Sequence, residues 1–265
     1  MPELPEVETI KRGLEKILIG KRIKSIKIFN QKQFLGQSQF LLGKKINKVE
    51  RRAKIIILQI DNFYLLVHLK MSGQLIYSKR EIENKHTRAR IDFTDKSYLY
   101  FNDLRKFGWL KLVQKQEYQK IISKFGQEAL SLRLKDLLGL VWVGKGPTIK
   151  QFLLNQANIA GIGNIYADES LFCAKINPFR LTKTITEKEV KELLVCIKRV
   201  LRLAIKHQGT SEQFYRTAEG GLGTYSQVAK VYAKTGQACK NCQAKIIKKK
   251  LAGRGTHFCP KCQGL

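Results

Sequence analysis

The chain has 265 residues, and 50 Lys and Arg against 21 Asp and Glu give it a formal net charge of +29. A field of that sign points to a polyanionic partner, most often nucleic acid, although a lysine-rich surface reflecting a biased genome accounts for part of it. No apolar run is long enough for a membrane span and the N-terminus is acidic and helix-like rather than a signal peptide, so a soluble, intracellular chain of two or three cored domains is expected.

The chain opens Met1-Pro2-Glu3-Leu4-Pro5-Glu6. These residues have two readings. Proline at the first helical position with acids in the first turn makes an ordinary helix start, which is the simpler reading of the six residues alone. If Met1 is removed, however, Pro2 presents a secondary amine that titrates at roughly 8 and is partly neutral at physiological pH. Such an amine can form an iminium with a sugar aldehyde carbon, with Glu3 and Glu6 available for proton transfer. Val7, Ile10, Leu14, Ile17 and Leu18 then recur at helical spacing, and Gly20 supplies the stop.

From 21 to about 113 the pattern changes to short β-rich runs at 23–29, 55–60, 63–71, 88–94, 97–101 and 109–113. Turn signals such as Asp61-Asn62 and Asp95-Lys96 separate several of them. Spacing of this kind suggests a sandwich or barrel rather than alternating βαβ units. Residues 114–136 read as a connector with some helix. Beyond it, 148–155 and 164–174 form a helix pair around Ala160-Gly161-Ile162-Gly163. A longer helix starts at Thr186 with Glu189 completing a capping box and Gly209 ending it. Cys173 and Cys196 sit in apolar helical patterns and read as inert core thiols. The Gly-rich stretch 217–225 reads as a mobile surface loop. Residues 228–265 are too few and too polar for a core of their own and need a staple.

That staple is Cys239-x2-Cys242 followed by Cys259-x2-Cys262. Two turns each offering a pair of thiolates match a closed structural zinc ribbon, and an intracellular setting disfavours two disulfides instead. Lys248, Lys249, Lys250 and Arg254 lie between the pairs, as on a basic hairpin aimed at phosphates. Gly161-Ile162-Gly163-Asn164 lacks the third glycine of a dinucleotide fingerprint; a backbone phosphate at the helix N-terminus and a plain Asn164 N-cap fit equally. His68-Leu69-Lys70-Met71-Ser72-Gly73 and Asn102-Asp103-Leu104-Arg105-Lys106-Phe107-Gly108 both end predicted strands. Met71, Arg105 and Phe107 there could wedge a duplex open, although core packing is the simpler reading of Met71 and Phe107 by themselves. Lys54 stands at the start of an apolar strand, either snorkelling or placed at a site.

Taken in this order, Pro-Glu-Leu-Pro-Glu-Val-Glu-Thr, His-Leu-x-Met-Ser-Gly, Arg-Lys-Phe-Gly, Gly-Ile-Gly-Asn-Ile-Tyr-Ala and the ribbon with Gly-Arg-x-Thr resemble the bacterial formamidopyrimidine-DNA glycosylase family along the whole chain. The resemblance implies an α+β multidomain fold: an N-terminal helix plus β-sandwich (1–123), a helix-two-turn-helix domain (132–225) and a C-terminal zinc ribbon (226–265), with DNA in the cleft. It implies a base-excision enzyme that removes 8-oxoguanine and ring-opened purines. Pro2 would attack C1′ of a flipped-out nucleotide and form a Schiff base, Glu3 would donate a proton as the sugar ring opens, and Glu6 would be auxiliary. Lys54 matches a lysine associated with phosphate contact and β-elimination, and Arg254 an arginine that grips phosphate and is linked to δ-elimination. His86, Arg105, Lys145 and Asn164 match DNA-contacting positions, Met71, Arg105 and Phe107 the void-filling set, and 217–225 the lid over an extruded base. Cys239, Cys242, Cys259 and Cys262 would hold one structural zinc ion, with no cofactor in catalysis beyond it. The expected partner is double-stranded DNA carrying oxidised purines or abasic sites, met by a monomer in the bacterial cytoplasm, associated with the nucleoid through DNA. The sister family, endonuclease VIII, acts on oxidised pyrimidines and usually reads Pro-Glu-Gly-Pro-Glu; Leu4 and the Met-Arg-Phe set favour the purine branch. Leu104, Gln127 and Ala129 depart from prolines common in the family, which bears on loop rigidity. A non-catalytic zinc-ribbon DNA-binding protein is the remaining alternative.

Overall fold

In the computed structural model, which describes residues 1–142, 146–211 and 214–264, the helical spacing after Pro5 produces α1 (Leu4–Leu18), with Pro5 in its first turn. Leu4, Val7, Ile10, Leu14 and Leu18 lie on one face and are fully buried. Burying each side chain of this size contributes about 1.5–3 kcal/mol, so α1 is fixed by packing rather than by propensity.

Two compact units are formed, Met1–Lys124 with Ile205–Thr224, and Phe125–Ala204 with Tyr225–Leu265. In the first, α1 precedes nine strands: β1 (Ile23–Ile28), β2 (Phe34–Leu35), β3 (Ile46–Arg52), β4 (Ile55–Ile60), β5 (Phe63–His68), β6 (Gly73–Ser78), β7 (Thr87–Phe93), β8 (Tyr98–Asp103) and β9 (Trp109–Gln114), followed by α2 (Lys115–Ile122). They make a four-stranded sheet, β1-β7-β8-β6, and a five-stranded sheet, β2-β9-β5-β4-β3. Alternate residues of both, among them Val49, Ile56, Leu65, Val67 and Leu110 from one and Leu75, Ala89, Ile91, Leu99 and Phe101 from the other, share a single core with α1. That is the expected sandwich. The run read as 63–71 leaves the sheet after His68; Lys70 then takes a left-handed φ of 50° and turns Met71 outward.

The second unit contains β10 (Gln127–Glu128), α3 (Leu134–Val141), α4 (Ile149–Leu154), β11 (Ile159–Ala160), α5 (Asn164–Cys173), most of α6 (Glu187–Lys206), α7 (Tyr225–Val228) and the hairpin β12 (Ile247–Leu251) and β13 (Arg254–Phe258). The Thr186–Glu189 capping box is formed, with Thr186 N donating to Glu189 Oε2 at 2.8 Å and Glu189 N to Thr186 Oγ1 at 3.3 Å. Cys173 and Cys196 are not separate thiols. Their Cα atoms are 5.7 Å apart and a disulfide joins α5 to α6. The sequence reading missed this because nothing in two isolated helical patterns says which helices will lie side by side. Among the described residues no helix is long and apolar enough to cross a membrane.

Candidate active site and nucleic-acid contacts

Pro2, Glu3 and Glu6 are all buried, whereas Met1 is 43% exposed. With Met1 in place the Pro2 nitrogen is part of an amide. Glu3 caps α1 through a reciprocal box in which Glu3 N donates to Glu6 Oε2 at 2.8 Å. The other oxygen, Glu6 Oε1, accepts from Thr210 N at 2.7 Å. Each Glu6 oxygen thus accepts from a backbone N–H group, and the carboxylate fastens the amino terminus to the segment around 210. Gly209 adjoins this contact at φ 80°, and a β-carbon there would meet Glu6 Oε1 at 2.7 Å, so both the backbone conformation and the space require glycine. The Tyr215 hydroxyl donates to the Glu6 carbonyl at 3.4 Å; burial and the Glu6 charge push its phenol above the ordinary range.

Lys54 is only 7% exposed and lies with Ala53, whose φ is 52°, in the turn that leads into β4. The neighbouring His68 accepts a hydrogen bond at Nδ1 from Lys70 N at 3.0 Å and packs against Trp109. Burial, then the charges of Lys70 and Lys54, lower its pKa from 6.5 to about 3. A histidine depressed in the folded state contributes stability that is fully present above the unfolded pKa of roughly 6.5 and is lost as pH falls toward the folded value. His68→Gln should therefore flatten the loss of stability between pH 6.5 and 3, measured by urea unfolding at a series of pH values; an unchanged acid limb contradicts a buried neutral imidazole.

The two strand-end loops are clamped together by Asp103, which is fully buried. Its Oδ1 accepts from Ser72 Oγ at 2.6 Å, and its Oδ2 from Gly108 N at 2.7 Å and Gln33 Nε2 at 3.0 Å. Ser72 Oγ in turn accepts from Arg105 N at 2.9 Å. Met71 is 39% and Phe107 55% exposed, and the Arg105 guanidinium lies 5.0 Å from the Phe107 ring centroid. Neither apolar side chain packs in the core, so core packing, the simpler reading of each alone, does not hold; together with Arg105 they stand outward from one clamped platform. Half-buried His86 donates its backbone N–H to Asn84 Oδ1 at 2.8 Å, and its carbonyl accepts from Asp103 N at 2.9 Å.

The stretch expected to be a mobile loop makes backbone hydrogen bonds at several points. Tyr77 N donates to the Ala218 carbonyl at 2.8 Å, Thr217 N to Gly221 O at 2.9 Å and Gly223 N to Ser211 Oγ at 2.8 Å. Its tip at Glu219–Leu222 and Thr224 are exposed, whereas Ala218, Gly223 and Tyr225 are buried.

In the second unit, Asn164 is the first residue of α5, and Gly163 rather than Asn164 is the cap. The Asn164 amide donates to the Gly255 carbonyl at 3.0 Å, next to Arg254. Lys150 converges on the same segment, donating to Thr256 Oγ1 at 2.8 Å and pairing with Asp168 Oδ1 at 2.6 Å. Asp168 Oδ2 also accepts from His257 N at 2.9 Å. Exposed Arg254 opens β13 after a two-residue turn with Ala252 at φ 48° and Gly253 at φ 77°, the pair of positive angles that matches hairpin twist. Sequence reasoning missed Ser72, Asp103, Lys150, Asp168 and Thr210, because their partners are far away in the chain. Lys145 lies outside the described residues.

Sulfur separations are 3.8 Å for Cys239 and Cys262 and 3.4 Å for Cys242 and Cys259, with all four within 4.8 Å. A tetrahedral zinc with bonds of about 2.3 Å needs sulfurs about 3.8 Å apart, so the four thiolates fit a structural zinc ion.

Residues 1–110 match the family described as formamidopyrimidine-DNA glycosylase N-terminal domain, 140–216 the formamidopyrimidine-DNA glycosylase H2TH domain, and 236–264 the zinc finger found in FPG and IleRS. A formamidopyrimidine-DNA glycosylase of Exiguobacterium sp. is 37% identical over 280 residues, covering 99% of each chain. Among solved structures, a Lactococcus lactis FPG mutant in complex with Fapy-dG containing DNA superposes with a TM-score of 0.93 at 37% identity over 100% of both chains. The wild-type Lactococcus lactis protein in complex with an oxidized pyrimidine containing DNA gives 0.92 at 37% identity over 100% of both chains.

Proposed function

This chain belongs to the formamidopyrimidine-DNA glycosylase family, and from that premise we propose that it is a base-excision DNA glycosylase and AP lyase acting on 8-oxoguanine and formamidopyrimidines in duplex DNA. The observation that carries this reading is the buried, doubly fastened Pro2-Glu3-Glu6 terminus. An ordinary exposed helix start needs no tether from residue 210.

Removal of Met1 turns the Pro2 nitrogen into a secondary amine. Its lone pair attacks C1′ of an extruded nucleotide as the bond from C1′ to the base breaks, the proton lost from the amine nitrogen leaves on the departing base, and Glu3 donates a proton to the ring oxygen as the C1′–O4′ bond opens to the iminium. The resulting iminium acidifies C2′, so strand scission by elimination follows from the same intermediate, with Lys54 at the phosphate and β-elimination and Arg254 at δ-elimination. Glu6 orients the terminus and is auxiliary in proton transfer. Met71, Arg105 and Phe107 fill the void, and His86, Lys145 and Asn164 meet the backbone. Flipping costs a few kcal/mol, which contacts to phosphates offset. The zinc ion, held by Cys239, Cys242, Cys259 and Cys262, supplies folding energy to the hairpin and no chemistry, since four thiolates leave no open position. The domain spans 1–123, 132–225 and 226–265, a monomeric state and a cytoplasmic location beside DNA complete the reading.

The complex of the Lactococcus lactis relative with an oxidized pyrimidine favours a second reading, excision of pyrimidine lesions. Single-turnover cleavage of 8-oxoguanine and thymine-glycol duplexes separates the two. The 8-oxoguanine duplex should be cut at least about tenfold faster, a difference of about 1.4 kcal/mol. The reverse order transfers the assignment to pyrimidines, and tight binding with neither duplex cut leaves a non-catalytic DNA-binding protein.

A further inference from the structure

One side-chain pair joins α1 to the turn that carries Lys54. Arg51, near the end of β3, donates from Nε to Glu8 Oε2 on α1 at 2.9 Å and from Nη1 to the backbone carbonyl of Ala53 at 2.8 Å. Glu8 Oε1 accepts from Arg12 Nε at 2.7 Å, one helical turn further on. Burial alone would raise the Glu8 carboxyl, but Arg51 and Arg12 together hold it below its usual range. The Arg51 side chain is only 9% exposed and that of Glu8 15%, so solvent screens this pair less than a surface ion pair. Ala53 sits at φ 52° without being glycine, a conformation that persists where surrounding contacts impose it. The carbonyl that Arg51 grips belongs to the peptide leading directly into Lys54.

We propose that Glu8 and Arg51 form a positioning clasp that sets the direction of Lys54 relative to the amino-terminal end of α1. The clasp thereby controls strand scission rather than DNA affinity. It rests on the roles assigned above to Pro2 and Lys54. Neither clasp residue touches the reacting atoms. An ordinary ion pair between a helix and a strand would change stability and every activity in step. A clasp on Lys54 separates the Lys54 step from the Pro2 step, because the contacts that fasten the amino terminus, Glu6 with Glu3 N and Thr210 N, are made by other groups than the Arg51 guanidinium.

The test uses the full-length, zinc-loaded chain on an abasic-site duplex under single turnover, well below the melting temperature of each variant. Borohydride-trapped adduct reads the Pro2 step and strand nicking reads the Lys54 step. Arg51→Met should nick about tenfold more slowly, a loss typical of slight misplacement, while trapping and duplex affinity stay within about twofold. Arg51→Lys should not restore nicking, because an ammonium cannot reproduce the fork that reaches Glu8 and the Ala53 carbonyl together. Glu8→Gln should slow nicking less than Arg51→Met, and the double variant should be no slower than Arg51→Met alone. Nicking and trapping that fall in parallel, or full rescue by Arg51→Lys, would reduce the pair to an ordinary structural contact. A wild-type chain that neither traps nor nicks overturns the assignment of Pro2, and the clasp with it; a wild type that does both while Arg51→Met behaves identically overturns the clasp alone.

Discussion

A chain that retains Met1 is expected to give no borohydride-stable adduct with an 8-oxoguanine duplex and to lose at least about 10³-fold in single-turnover excision, the scale on which removing a covalent nucleophile acts. An amide nitrogen has its lone pair delocalised into the carbonyl and cannot form an iminium, whereas the free terminal amine titrates at roughly 8. The burial of Pro2 and the two hydrogen bonds on Glu6 make this a test of position as well as of chemistry. Pro2→Gly, once Met1 is removed, leaves a primary amine in the same place and should retain part of the trapping. Blocking the processed terminus with an acetyl group should abolish it. A full-strength adduct from the blocked chain would move the nucleophile elsewhere, Lys54 being the first candidate to examine.

Stripping the zinc ion, or replacing one ligand as in Cys259→Ser, should unfold the hairpin and eliminate nicking while the β-sandwich remains folded. The apolar cluster beneath the hairpin consists of Phe172, Val231, Cys239, Ile246 and Cys259, so two of its buried members are themselves ligands. Structural zinc contributes apparent binding energies of about 10–16 kcal/mol in small fingers, far more than such a cluster supplies. Hydrogen exchange resolves the two regions: amides of 247–258 should lose protection on chelation, while those of 55–68 keep theirs. Readdition of zinc should restore both protection and nicking. Protection of the hairpin that survives chelation would show that the packing around Phe172 suffices.

The parts of the fold legible in the sequence were those that depend on neighbours along the chain. α1 follows from apolar residues at helical spacing after Pro5, and β4 from the apolar run 55–60, whose observed ends are the expected ones. The start of α6 was visible in Thr186 and Glu189. β3 was not, because Lys48, Glu50, Arg51 and Arg52 crowd a strand that turns only Ile46 and Val49 fully inward. The contacts of 217–225 were hidden for a related reason: glycine-rich composition reports what a segment can do alone, not that Tyr77 N will bind the Ala218 carbonyl.

By itself the sequence determined the kind of chemistry available: a proline one residue from the start, four thiolates paired at zinc spacing, and an excess of cations suited to a polyanion. These are covalent or compositional properties and survive any folding. Tertiary structure alone decided how the groups are employed. It committed Glu6 to two backbone N–H groups, turned Met71 and Phe107 outward over the Asp103 clamp, joined Cys173 to Cys196, and gathered Lys150, Asp168 and Asn164 behind Arg254. Each of these includes a partner tens to hundreds of residues away, such as Thr210 for Glu6 and Ser72 for Asp103, and hydrophobic periodicity, which acts over a few residues, carries no information about such pairings.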